Sequence, residues 1–268
     1  MSAAAQLHSD LLITIVAATR RRAEVARGSR DEAELERGTH RVPRGDYFLA
    51  ALSRSTAPRV IAECKRRSPS RGILRSDYDP ANHAAAYARA GAAAISVLTE
   101  PTFFDGASEH LGAVRAAVDV PLLRKDFIVT DYQLLEAAAL GADAALLIVS
   151  ALEDRELRAL TARCETLGLA ALVEVHDQDE ARRAVDAGAR VIGVNSRNLR
   201  TLAVDPAVHE QIARVLPADT VTVAESGIRS CDDLRRLTAC GYDAFLVGER
   251  LIGQPDPGTA LRELRGTP

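Results

Sequence analysis

Lys65 and Lys125 are the only lysines in a chain of 268 residues that spells the rest of its positive charge with thirty-two arginines. A guanidinium stays charged in any protein site, whereas an ammonium can release and recover a proton when its surroundings lower its pKa. In such a chain the lysines are the first candidates for proton transfer. Glu63 stands two residues before Lys65, and Glu174 and Glu225 end two later apolar runs. Lysines converging with carboxylates supply general acid and general base chemistry.

Convergence needs elements that bring these positions together. From about residue 58 onward, eight short β-branched runs alternate with Ala, Leu, Arg and Glu-rich helical stretches: 60–65, 94–99, 121–125, 144–149, 171–175, 191–195, 220–225 and 244–248. Eight such units predict an α/β fold of the (β/α)8 TIM-barrel type rather than an open doubly wound sheet of about six strands. Helical stretches 177–187 and 231–240 end before Gly188 and Gly241, where a left-handed C-cap is expected. Residues 1–57 precede the repeat and read as an N-terminal helical extension packed on the barrel, residues 58–268 as the catalytic barrel, the whole one structural domain. Within the extension, Ser9 or Asp10 is expected to cap a helix over 11–26, and Asp46 one over 47–52, before a turn over 53–58. The Arg and Glu residues of the extension read as a solvated helix face.

Side chains alternate along a strand, so parity sorts them. Ile61, Glu63 and Lys65 share one face of the first strand, and Val60, Ala62 and Cys64 the other. With the apolar set against the helices, the charged set points into the barrel. The same rule turns Lys125 and Phe127, Glu174, Asn195 with Arg197, and Glu225 inward. All fall at the C-terminal ends of their strands, where barrel enzymes build their sites. A purely structural salt-bridge network is the alternative, but desolvating six charges costs several kcal/mol per ion before pairing.

Composition narrows the ligand. A formal net charge of -3 with a pI near 6.1 offers no basic surface for nucleic acid. The early apolar run 11–18 is too short to span a membrane and lacks the layout of a signal peptide, so the expected location is the cytoplasm. The four cysteines show no CxxC pairing, and no histidine stands at a ligand-like spacing, so no metal is expected. Gly227 after the seventh strand and Gly248 before Glu249 after the eighth suit a backbone phosphate cradle. Phe104 and Phe127 sit where a ring could contact an aromatic substrate.

The runs Ile61-Ala62-Glu63-Cys64-Lys65-Arg66-Arg67-Ser68-Pro69-Ser70-Arg71-Gly72, Ser96-Val97-Leu98-Thr99-Glu100 with Phe104 and Gly106, Leu123-Arg124-Lys125-Asp126-Phe127, Leu172-Val173-Glu174-Val175, Ile192-Gly193-Val194-Asn195-Ser196-Arg197-Asn198-Leu199 and Ala224-Glu225-Ser226-Gly227 together resemble the indole-3-glycerol phosphate synthase family, in its monofunctional form. Cys64 departs from the aliphatic residue usual there, and Glu249 follows the phosphate glycine at a variable position. The resemblance implies closure of 1-(2-carboxyphenylamino)-1-deoxyribulose 5-phosphate to indole-3-glycerol phosphate with loss of carbon dioxide and water, in tryptophan biosynthesis, by a carbon-carbon lyase that needs no cofactor. It implies Lys125 as general acid for ring closure, Lys65 and Glu174 sharing the dehydration, and Glu63 balancing the lysines. Glu225, Ser226 and Asn195 would bind substrate hydroxyls or hold the network. Arg197 with Ser68 and Ser70 would meet the substrate carboxylate. Phe104, Phe127, Pro69 and Leu199 would surround the anthranilate ring, and Gly227, Gly248 and Glu249 would offer amides to the phosphate. The expected partner is a small phosphorylated substrate alone, with no nucleic acid or membrane, and the expected state a monomer. A non-catalytic sugar-phosphate-binding barrel, a specialised paralogue in an indole natural-product pathway and a Schiff-base aldolase using Lys125 stay open as alternatives.

Overall fold

The computed structural model describes residues 3–39, 41–53, 57–199 and 201–266. Eight parallel strands close into a barrel: β1 (Arg59–Cys64), β2 (Ala94–Leu98), β3 (Leu122–Lys125), β4 (Ala144–Ile148), β5 (Ala170–Val175), β6 (Val191–Asn195), β7 (Val221–Glu225) and β8 (Ala244–Val247). Each pairs with its neighbours in sequence, and β8 returns to β1. The eight strands agree with the runs read from the sequence to within one residue at most ends, and Lys65 lies one position past β1.

Parity sorts the side chains as the period of two requires. Ile61, Leu123, Leu146, Leu172, Val191, Val223 and Leu246 form the core inside the barrel. Val60, Ala62, Cys64, Val173 and Val175 pack outward among the helices. Cys64 is therefore inert: burial and then the Glu63 charge push its thiol far up, which removes the thiolate that cysteine chemistry needs. The helix Gln178–Asp186 starts on an Asp177 side-chain cap, and Cys231–Ala239 starts on a Ser230–Asp233 capping box. Gly188 and Gly241 follow them at φ of +79° and +106°, the left-handed conformation expected there.

The extension holds three helices, Ala3–Ser29, Glu32–Gly38 and Gly45–Leu52. Ser9 and Asp10 lie inside the first of them, since it begins six residues before Ser9. Asp46 is in the first turn of the third and does not cap it; Arg44 occupies the cap position without a side-chain bond. That start is fixed by tertiary contacts, Gly45 N–H donating to Gly168 O at 2.9 Å and Arg44 N–H to the buried Asp143 carboxylate at 2.9 Å. A Cβ at Gly45 would stand 2.6 Å from Ala170 N, so only glycine allows the approach. The helix thus drives Phe48 and Leu52 into the N-terminal end of the barrel core. Residues 54–56 of the expected turn lie outside the described residues.

The first helix lies at the opposite end. Arg20 donates to Val129 O after β3 and pairs with Glu156 after β4, while Arg22 pairs with Glu100 after β2. These arginines are anchors on the barrel rather than a merely solvated face. Glu32–Gly38 joins the two ends along the side, Leu35 packing on Tyr132 and Leu135. Among the described residues no helix is long and apolar enough to cross a membrane.

Candidate active site

A cavity of about 390 Å³ opens at the C-terminal mouth, within the size range of small-molecule sites. Its walls include Glu63, Lys65, Lys125, Glu174, Asn195, Arg197 and Glu225, with Phe104, Phe127 and Leu199 as apolar surface and Ser226, Gly227, Gly248 and Glu249 at one side. Both lysines and all three carboxylates are therefore brought to one place.

Lys125 Nζ donates to Glu174 Oε2 at 3.0 Å and to Glu225 Oε2 at 2.9 Å. Burial alone would push the ammonium down, but Glu174, Glu225 and Glu63 together outweigh it and hold Lys125 above its ordinary value. The carboxylates part company. Burial raises both, yet Lys125 and His176 hold Glu174 well below the usual carboxylate range, whereas Glu225, with Lys125 as its one cation and Glu174 opposing it, stays above. Glu225 Oε1 is buried with no hydrogen-bond partner, a polar atom that a substrate hydroxyl can satisfy. Lys65 forms a separate pair with Glu63 at 2.5 Å.

Two glycines make room for these charges. A Cβ at Gly193 on β6 would collide with Glu225 Oε1, and one at Gly248 would collide with Glu63 Oε2. Gly248 thus serves the ion pair as well as the turn it was read for. In the sequence, Gly193 stands out only as part of the run Ile192 to Leu199. Its signal is a glycine on an inward position inside a strand, which marks close approach.

The aromatic wall is built from the outside inward. Glu100, fully buried, accepts the backbone N–H groups of Thr102, Phe103 and Phe104 at 3.0, 2.6 and 3.3 Å, capping the helix Pro101–Phe104. Arg22 of the first helix pairs with Glu100 at 3.3 Å. Phe104 then faces Phe127, ring centroids 6.4 Å apart. Phe127 is held by its N–H to Asp126 Oδ1 at 2.9 Å, and the other oxygen of Asp126 is fixed by Thr99 and Arg124.

The hairpin Arg67–Ser68 with Gly72–Ile73 stands over the mouth. Ser68 is buried, while Pro69 and Ser70 are exposed, and none of the three lines the cavity. Ser70 Oγ accepts a long 3.4 Å bond from Arg197. Arg197 also pairs with Glu249 at 3.3 Å, and Glu249 with Arg71 at 3.3 Å. That carboxylate ties three loops together across the rim. Asn195 Oδ1 accepts the Arg197 N–H at 3.0 Å, and β6–β7 register sets Asn195 beside Glu225.

Ser226 and Gly227 both adopt positive φ, 64° and 73°; for the serine this is a rare conformation that recurs at ligand-binding turns. Glu249–Ile252 forms a short helix directly after Gly248. The first N–H groups of a helix have no partner within it, which suits an anion. Among the described residues no three His, Cys, Asp or Glu side chains converge as a metal site.

His176, one step of the same parity beyond Glu174, was not singled out from the sequence. Its Nε2 lies 3.2 Å from Glu174 Oε1, and its Nδ1 3.0 Å from Glu180 Oε2.

The barrel resembles solved structures at a distance: KGPDC from Streptococcus mutans (TM-score 0.62, 15% identity, covering 79% of this chain and 97% of that one) and a thiamine phosphate pyrophosphorylase from Pyrococcus furiosus (TM-score 0.58, 20% identity, 78% and 94%). Such likeness concerns the fold alone. Sequence relatives are much nearer. Indole-3-glycerol phosphate synthase 1 of Streptomyces coelicolor is 54% identical over 89% of this chain and 88% of that protein. Indole-3-glycerol phosphate synthase 2 of the same organism is 47% identical over 96% and 100%. The family model for indole-3-glycerol phosphate synthase matches residues 12–264. The chain belongs to the indole-3-glycerol phosphate synthase family.

Proposed function

We propose that the protein closes the indole ring of 1-(2-carboxyphenylamino)-1-deoxyribulose 5-phosphate, releasing carbon dioxide and water, as a carboxy-lyase of tryptophan biosynthesis. The observation that carries this reading is Lys125, an ammonium held between Glu174 and Glu225 in the cavity. As the ring carbon bearing the carboxylate attacks the ketone, Lys125 gives its proton to the forming alkoxide. Loss of carbon dioxide then returns the bonding electrons to the ring. In the dehydration, Lys65 protonates the departing hydroxyl, and Glu174, kept ionised, accepts the proton lost from the methylene carbon beside the aryl nitrogen, so that the indole keeps its N–H. Glu63 steadies Lys65.

The remaining walls suit the substrate's other parts. Phe104 and Phe127, with Leu199, face the anthranilate ring, and Pro69 joins them when the hairpin settles over the ligand. Arg197 meets the carboxylate, with Ser68 and Ser70 behind it. Asn195, Glu225 and Ser226 take the hydroxyls. The turn at Gly227 and the amides of Gly248 and Glu249 take the phosphate. A Schiff-base role for Lys125 fits less well, because that nucleophile must be a neutral amine, and the surrounding carboxylates favour the charged form. We further propose that residues 1–57 and 58–268 fold as one unit that works as a monomer in the cytoplasm, where a charged, phosphorylated substrate is retained.

The test is a fluorescence assay of the purified protein with this substrate and no added cofactor. Indole-3-glycerol phosphate is expected from the unaltered chain, with Lys125→Ala inactive. Binding without turnover by the unaltered chain would instead favour a non-catalytic or specialised-pathway barrel.

A further inference from the structure

Glu174 and Glu225 both touch Lys125 through Oε2, at 3.0 and 2.9 Å, and both are almost fully buried. By that contact alone the two carboxylates would be equivalent. Reaction at one of them requires that the equivalence be broken. The difference lies behind Glu174, whose other oxygen stands 3.2 Å from His176 Nε2, an ion-pair contact without hydrogen-bond geometry, while the other oxygen of Glu225 has neither a cation nor a hydrogen-bond donor of its own.

The histidine is itself clamped. Glu180 Oε2 receives the His176 backbone N–H at 2.8 Å and lies 3.0 Å from Nδ1. Glu180 occupies the third position of the helix Gln178–Asp186, whose start is fixed by the Asp177 cap on the Glu180 N–H at 2.8 Å. The first turn of that helix therefore sets a carboxylate behind the imidazole. His176 and Glu180 side chains are 14% and 15% exposed, so little water screens the pair. The charged groups facing the imidazole are Glu174 from β5 and Glu180 from this helix. Lys125 of β3 and Glu225 of β7 stand beyond Glu174. His176 is not among the residues lining the cavity, so it reaches the substrate only through Glu174.

We propose that His176 is a positioning residue: an imidazolium gripped by Glu180 that holds the free oxygen of Glu174, so that Glu174 is the ionised base and Glu225 the protonated partner of the Lys125 pair. The inference rests on the reading of Glu174 as the base. Charge counting agrees with it. Glu63, Glu174 and Glu180 then balance Lys65, Lys125 and His176, and a neutral Glu225 can donate to a substrate oxygen. Burial pushes the imidazole down, but Glu174 and Glu180 more than reverse this and raise it to about 10, so the cation persists across the physiological range.

The experiment is the pH profile of kcat/KM for the full chain and for His176→Gln, His176→Arg and Glu180→Gln, each checked for folding by thermal melting. Losing the cation should let Glu174 take up a proton more readily, so the acid limb of His176→Gln moves up by about one to three pH units, with KM little altered. His176→Arg, which restores a cation, should bring the limb back toward its original position. Glu180→Gln, which leaves the imidazole in place but weakens its charge, should move the limb in the same direction by less. An unmoved limb in folded His176→Gln, or an arginine variant no better than the glutamine one, would overturn the proposal. Should histidine variants melt early, the Glu180→Gln limb decides alone, a fixed limb counting against the proposal. Glu174→Gln separates the two claims: if it still turns over, the base assignment fails, whereas an inactive Glu174→Gln beside an unshifted His176→Gln sinks only the role of the histidine.

Discussion

At the N-terminal end of the barrel, Phe48 and Leu52 are fully buried against Ile61, Ala94 and Ala170. Two positions further along β1 the inward residue is Glu63, and the corresponding ends of β3, β5 and β7 present Lys125, Glu174 and Glu225. The same strands and the same parity thus serve two purposes. One end buries apolar surface for stability. Its central carboxylate is engaged on both oxygens, although Arg41 and Arg44 beside it keep buried guanidinium nitrogens without hydrogen-bond partners: Asp143, wholly buried, accepts from the Arg44 and Leu122 N–H groups and from Arg115, and pairs with Arg41. The other end keeps charges in a cavity and leaves one buried carboxylate oxygen unpaired. The free energy won by packing at the first end offsets the desolvation of charge at the second, which is how a barrel holds reactive groups without unfolding.

Substitutions at the two ends should separate cleanly. The largest effect is expected for Lys125→Arg, which keeps the charge but loses a transferable proton. Its kcat should fall by about 10²- to 10⁴-fold with an almost unchanged melting temperature; near-normal turnover would remove Lys125 from the acid role. Phe48→Ala should do the reverse, lowering unfolding free energy by about 3–5 kcal/mol in denaturant titration while the folded fraction keeps its kcat. If that variant lost turnover while still folded, the two ends would be coupled rather than separate. Gly193→Ala tests the boundary between them, because its methyl cannot coexist with Glu225 Oε1 in its present place, so the carboxylate that meets Lys125 must shift. A displacement of this kind should cost about 10²-fold in kcat, and a rate within twofold of the unaltered chain would show that Glu225 works without its present position. The smallest change is expected for Arg22→Ala. It removes a partly exposed pair to Glu100, so KM should rise only about two- to fivefold, through looser placement of Phe104.

How far the sequence revealed this division depends on geometry. The period of two placed Glu63, Lys125, Glu174 and Glu225 correctly because a strand leaves a side chain only two directions. His176 has the same parity but lies one residue past the end of β5, and the Glu180 spacing of four that pins the histidine belongs to the loop and helix. Gly193 was hidden for another reason. Its contribution is the absence of a side chain where a neighbour's carboxylate must lie, and that neighbour is thirty-two residues away. Parity also lapses where a strand ends, so it says nothing about Ser68, Pro69 and Ser70 on a hairpin that folds back over the mouth. Ser9 and Asp10 fail as caps because the first helix already runs through them from Ala3, whereas the misplaced cap at Asp46 has a tertiary cause, since local capping rules cannot see Gly45 bonded to Gly168.

That last bond bears on the order in which the molecule is assembled as it is synthesised. Gly45 docks on Gly168 and Ala170, and Arg44 on Asp143, so a helix near the start of the chain has no seat until residue 170 has left the ribosome. Contacts of such long separation are closed late. The first helices to emerge are therefore expected to wait, exposed, while the strands that receive them are made, and during that interval Phe48 and Leu52 are apolar surface for a chaperone to cover.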